Sequence, residues 1–248
     1  MIEFRNFTKV YPRCKAVDDL NLVIDDGELF GLIGHNGAGK STTIKTLVSI
    51  QEPTSGEVFV NGMALKEHRD QVKRLIGYVP DSPDLFLKMP VIAYWNLMAA
   101  AFGVDKEQLL KTIEVLEDTL EFKDQRSSLM QELSHGMRQK AVIIGALISS
   151  PDIWVLDEPM TGLDPQASYN LKQLMKEHVA RGKTVIFSTH VLEVAEALCT
   201  KIAILKKGKC IYLGTVENLK EQNQGKGLED IYLSMVAERD EVSDERKL

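Results

Sequence analysis

Cysteine is scarce in this chain of 248 residues: Cys14, Cys199 and Cys210 are odd in number and show no Cys-x-x-Cys spacing. That excludes a disulfide framework and a cysteine-ligated zinc site, and it points to free thiols in a reducing compartment. Long apolar runs are also missing. A stretch such as 141–148, with Gly145 inside it, falls far short of the ~18–20 residues needed to cross a bilayer. The start, Met1-Ile2-Glu3-Phe4-Arg5, has no basic segment leading into an apolar one, so no secretory leader is read there and a cytosolic location is expected. Positive charge is not in excess, since 30 Lys and Arg face 36 Asp and Glu for a net charge of −6. Such a chain lacks the electrostatic footprint of sequence-independent nucleic-acid binding, and no direct nucleic-acid partner is expected. Aromatics are few at 6%, but the 44% hydrophobic and 27% charged content is ordinary globular usage, which excludes disordered, collagen-like and coiled-coil chains.

What is present reads as one large α/β domain with an insertion. Apolar runs bounded by Gly or Asp at 29–34, 75–79, 153–156, 184–188 and 201–205 read as buried strands. Helical stretches follow several of them, which predicts a mostly parallel sheet covered on both faces. Asn61-Gly62 after the alternating Glu57-Val58-Phe59-Val60 predicts a tight hairpin, and hence an N-terminal antiparallel β subdomain. Residues from about 88 to 150 lack strand signals. They carry helical patterns, including Asp105 as an N-cap with Gln108 three residues on, and predict an inserted helical subdomain. Asp164-Pro165 opens a further helix that ends before Gly182. The main domain is expected to span 1–220. A C-terminal helical extension, 221–248, would carry Leu228, Ile231, Tyr232 and Met235 on one face and fray through the polar 238–248.

The chemistry-bearing residues cluster in four places. Gly34-His35-Asn36-Gly37-Ala38-Gly39-Lys40-Ser41 fits the phosphate-loop pattern G-x-x-x-x-G-K-[ST] between an apolar strand and the helical run 42–48. Glycines let backbone N–H groups curl around phosphate oxygens, Lys40 supplies a point charge, and Ser41 can hold Mg²⁺. Ile153-Trp154-Val155-Leu156-Asp157-Glu158 is an apolar strand ending in two acids, a costly place for charge unless a cation or hydrogen bonds compensate. Hydrolysis of a nucleoside triphosphate accounts for both: Asp157 orients the Mg²⁺ shell and Glu158 takes a proton from the attacking water. Taken without the phosphate loop, the pair could equally be exposed strand-end acids. About one βαβ unit separates Asp157 from His190, so His190 is expected at the end of the next strand, on the same sheet edge as Glu158.

The segment Leu133-Ser134-His135-Gly136-Met137-Arg138-Gln139-Lys140, followed by Asp157-Glu158-Pro159, Gly162-Leu163-Asp164 and His190, resembles the signature and following motifs of the ATP-binding cassettes of ABC transporters. The resemblance runs in family order from about Tyr11 to Gly214, and the signature variant, lone-cassette length and short C-terminal extension resemble stand-alone bacterial exporter cassettes of the drug-resistance and sodium-efflux type. It implies a phosphate-loop NTPase fold that binds and hydrolyses ATP with Mg²⁺. Lys40, Glu158, His190 and Asp164 would be catalytic, and Ser41, Asp157 and Asp81 would face the metal. Nucleotide contacts would come from Tyr11, Asn36, Gly37, Ala38, Gly39, Lys40, Ser41 and Thr42. Ser134 and Gly136 would complete the site of a second cassette paired head to tail. Ser134 also reads as a plain helix N-cap, and Tyr11, matched to the aromatic that stacks on adenine, could instead be a core tyrosine. The implied partners are that second ATPase subunit, identical or not, and a separate transmembrane permease, which places the chain at the cytoplasmic face of a membrane.

Two positions depart from the pattern. Asp81 stands where the family usually carries Gln; it can ligate a hard cation but adds negative charge beside Asp157 and Glu158. His135 replaces the first signature glycine, at a position expected to favour positive φ, and Met137 replaces the glutamine. The apolar residues at 85–89 and 94–98 could receive the permease's coupling helix or pack the helical subdomain's own core. A soluble ABC-type clamp acting on ribosomes or nucleic acid is the alternative function. The compact insertion and the acidic charge count against it, and a kinase-like transferase leaves Ser134, Gly136 and Glu158 unexplained.

Overall fold

A computed structural model describes residues 1–84 and 86–235. It begins with two antiparallel strands, β1 (Ile2–Tyr11) and β2 (Cys14–Ile24), followed by β3 (Leu29–Ile33), α1 (Lys40–Leu47), β4 (Ser55–Val60) and β5 (Met63–Ala64). Next come α2 (Arg69–Leu75), β6 (Ile76–Val79), α3 (Val91–Phe102), α4 (Lys106–Leu120), a 3₁₀ turn (Met130–Glu132) and α5 (His135–Leu147). The chain returns through β7 (Ile153–Leu156), α6 (Pro165–Ala180), β8 (Thr184–Thr189), α7 (Leu192–Leu198), β9 (Lys201–Lys206), β10 (Lys209–Thr215) and α8 (Val216–Gln222). A last helical segment covers 228–235. The polar stretch 238–248, expected to fray, lies outside the described residues.

The central sheet has the order β10-β9-β3-β8-β7-β6 and is parallel throughout except for the β10 edge. Its strands look continuously apolar in sequence, yet they split by face. Leu29, Ile33, Trp154, Leu156, Val185 and Phe187 join the core shared with the helical subdomain, α6 and α7. Their neighbours Phe30, Leu32, Ile153, Val155 and Ile186 join a second core with α1 and the antiparallel sheet β2-β1-β4-β5. Two-residue periodicity thus persists under full burial because both faces are covered.

Local chemistry accounts for the boundaries. Asn61 and Gly62 both take positive φ between β4 and β5, with Val60 facing Met63, as a two-residue hairpin requires. Asp105 caps α4 by accepting from Gln108 N–H, but the Gln108 side chain turns to Thr112, so the reciprocal half of a capping box is not made. Asp164 caps α6 with Pro165 at its first position, and Gly182 follows its last turn at positive φ. Among the described residues, no helix is long and apolar enough to cross a membrane.

The register explains where chemistry collects. Val79 faces Leu156, Leu156 faces Phe187, and Ile33 faces Thr189. The C-terminal ends of β3, β6, β7 and β8 are therefore nearly level, and the residues just beyond them meet along one sheet edge.

Candidate nucleotide site

The phosphate loop is built by close approach. Gly39 has φ near +112°, and a Cβ there would lie 2.7 Å from the Ala16 carbonyl oxygen on β2, so only glycine fits. Gly208, in the β9–β10 turn, donates to Ala38 O and accepts from Asp18 N–H, which braces the loop from the far side. Ala38 N–H donates to His35 O, while His35, Asn36 and Gly37 form the exposed crown. Lys40 is only 5% exposed. Its ammonium donates to Gly34 O at 2.6 Å and His35 O at 3.3 Å and lies 3.1 Å from Glu158 Oε1.

Beyond β7 the two acids part company. Asp157 is fully buried: its Oδ1 accepts from Ser188 Oγ at 2.6 Å and Ser41 Oγ at 3.0 Å, while Oδ2 has no partner. Burial pushes the Asp157 carboxyl up, the two hydroxyls pull it down, and the charge of Asp81 adds to the rise. Glu158 takes φ near +49°, a left-handed conformation that a non-glycine residue holds only when its surroundings fix it. Its N–H donates to Ser188 Oγ, and its Oε2 lies 2.9 Å from His190 Nδ1. A carboxylate can only accept, so the hydrogen of that contact is on His190 Nδ1. Its Oε1 faces Lys40 without hydrogen-bond geometry.

Lys40, Ser41, Asp157, Glu158 and His190 are thus brought together as the sequence suggests. Ser188, the hydroxyl joining Asp157 to the Glu158 backbone, was missed; a small polar residue closing an otherwise apolar strand is the signal that could have found it. Tyr11 is 37% exposed at the tip of the β1–β2 hairpin, not in the core. Its hydroxyl donates to Gln51, whose amide donates to Thr42 O, so a residue the sequence did not flag ties the ring to the helix of the phosphate loop.

Four expected residues make their contacts outside that cluster. Asp81 is half-exposed, with Lys45 3.9 Å away as its ion partner. Among the described residues there is no group of three or more His, Cys, Asp or Glu side chains able to hold a metal. Asp164 makes the bonds of a helix cap: the Ala167 N–H and the Lys140 ammonium hold its carboxyl below the usual range. Ser134 caps α5 by accepting from Met137 N–H at 3.3 Å. Gly136 packs so closely that a Cβ would lie 2.6 Å from Gly162 O. The expectation of a positive φ at His135 fails, because His135 is the first helical residue of α5 and not a turn position, and its ring lies over Gly162 instead.

The aromatic residues near the helical insertion divide. Tyr94 and Trp95 are buried, with Trp95 Nε1 donating to the Ala141 carbonyl of α5, so the core-packing alternative holds for them. Phe86 and Leu97 remain exposed, and Leu85 lies outside the described residues.

With this geometry in place, comparison with known proteins is direct. The ABC transporter family pattern matches residues 17–161. A Nod factor export ATP-binding protein I of Cupriavidus metallidurans is 31% identical over 99% of this chain and 84% of its own length. The solved structure of an ATP-binding subunit of an ABC transporter superposes with a TM-score of 0.90 at 32% identity, covering 95% of this chain and 99% of that one. A dimeric ATP-binding cassette in a post-hydrolysis state, bound to ADP and Pi, gives a TM-score of 0.79 at 26% identity, covering 87% and 99%. The chain belongs to the ABC transporter family, as one of its ATP-binding cassettes, and is an ATPase.

Proposed function

We propose that this cassette hydrolyses Mg-ATP at an interface with a second cassette and drives export through a separate transmembrane permease, working at the cytoplasmic face of the membrane. The observation that carries the catalytic part is the buried Asp157, whose Oδ2 lacks any partner while Ser41 already sits on Oδ1. That hard-oxygen pair suits Mg²⁺. When bound, the ion neutralises charge on the β- and γ-phosphates.

The residues divide the remaining work. ATP phosphates draw Lys40 away from the Gly34 and His35 carbonyls and from Glu158, which frees Oε1 to accept a proton from the attacking water. His190, on the other oxygen, keeps the carboxylate aimed, and Ser188 fixes its backbone. Backbone groups of Asn36, Gly37, Ala38 and Gly39, with Thr42, cradle the phosphates, and Tyr11 stacks on the adenine, an interaction worth ~1–3 kcal/mol in comparable contacts. Ser134 and Gly136 act on the partner's nucleotide, where a helix start offers N–H groups to a γ-phosphate. Asp164 joins them at the interface between cassettes. Asp81 would add a third hard oxygen donor for the metal beside Ser41 and Asp157, and exposed Phe86 and Leu97 receive the permease.

The test is a pull-down of tagged Glu158→Gln protein from detergent-solubilised native membranes with Mg-ATP. A polytopic membrane protein co-purifying with it supports the export machine. Ribosomal proteins or nucleic acid, with no permease, would replace it with a soluble clamp.

A further inference from the structure

The C-terminal helix is bonded to the phosphate loop. Tyr232 Oη accepts the backbone N–H of His35 at 3.1 Å, across 197 residues of chain. The helix that carries it is firmly seated: Leu228 and Ile231 are fully buried in the main core. One carboxylate bolts its start, since Glu196 on α7 takes the Lys220 ammonium on one oxygen and the Leu228 N–H on the other. Those two contacts hold the Glu196 carboxyl below its usual range. His35 is meanwhile the pivot of the loop, because its carbonyl accepts from both Ala38 N–H and Lys40.

We infer that Tyr232 is a positioning residue for ATP binding, holding the His35 peptide so that the phosphate loop keeps its shape when Lys40 leaves the Gly34 and His35 carbonyls for the nucleotide. This rests on the reading of Lys40 as the phosphate ligand. His35 is held through both of its flanking peptides, by Tyr232 on its N–H and by Lys40 and Ala38 on its carbonyl. Nucleotide binding removes one of those supports. A loop fixed from the C-terminal helix does not have to be reordered by the ligand, and preorganisation of this kind appears in affinity. Tyr232 touches neither Glu158 nor His190 by hydrogen bond, so the chemical step is unaffected.

The test is Tyr232→Phe in the full chain, which deletes the hydroxyl and keeps the ring. Mg-ATP binding is measured by titration, alongside KM and kcat. The expected result is an increase of about three- to tenfold in Kd and KM, the range of one hydrogen bond, with kcat unchanged. His35→Pro removes the N–H from the other side. If the bond is the cause, Tyr232→Phe added to His35→Pro has no further effect on Kd. An unchanged Kd in Tyr232→Phe, a loss in kcat alone, or additive effects in the double variant overturns the inference. Lys40→Ala separates the two readings: if it too leaves ATP affinity intact, the phosphate-loop assignment is what failed, whereas if it abolishes binding while Tyr232→Phe does nothing, only the role of Tyr232 falls.

Discussion

The two ends of the ATPase machinery on this chain are built in opposite ways. Around the phosphate loop, charge is buried and incompletely matched: Lys40 is 5% exposed, and both Asp157 Oδ2 and Glu158 Oε1 are buried without a hydrogen bond. At the signature, Ser134 and His135 are exposed, and the polar contacts nearby close locally, Ser134 on Met137 N–H and Lys140 on Asp164. A buried polar atom without a partner costs ~1–3 kcal/mol, so Asp157 Oδ2 calls for a donor or a cation, while Glu158 Oε1 has only the Lys40 ammonium 3.1 Å away. The second end offers only the first N–H groups of a helix, which no intrahelical carbonyl can take. An anion held by Lys40 at the first end and touched by the second end of another copy gives those N–H groups a partner, which is why the proposed active unit is a pair of cassettes.

The contrast can be broken at either end. Lys40→Ala has the largest effect on binding, because it removes a charge-assisted contact: ATP Kd rises at least tenfold, read by calorimetric titration. Ser134→Ala is the sharper instrument. It removes the α5 cap at about 1 kcal/mol of stability and, on the pairwise reading, costs ~10-fold or more in turnover while leaving ATP binding to the single chain intact. Asp105→Ala serves as its control, since it deletes an equivalent cap on α4 at about the same stability cost and should leave turnover alone. Equal ATPase losses in the two cap variants would reduce Ser134 to a structural role.

Much of this was legible in the sequence because it is local. The phosphate loop, the acids at the end of β7, the caps at Asp105, Ser134 and Asp164 and the Asn61-Gly62 hairpin are each set by a few neighbouring residues. What escaped is long-range. Ser188 meets Asp157 from an adjacent strand, Gln51 meets Tyr11 through the β1–β2 hairpin, and Tyr232 reaches His35 from the last described helix. Their partners are decided by strand order and core packing, which no short window contains. His135 shows the converse failure, where a pattern position was expected to favour positive φ although the cap read at Ser134 makes it the first helical residue.

The central claim, that Glu158 is the base of an otherwise intact nucleotide site, is tested most directly by measuring Mg-ATP binding and turnover side by side in Glu158→Gln. The account predicts a Kd close to that of the unaltered protein and a turnover lower by about 10²- to 10⁴-fold, the contribution of a positioned general base. Turnover at the unaltered rate would contradict it.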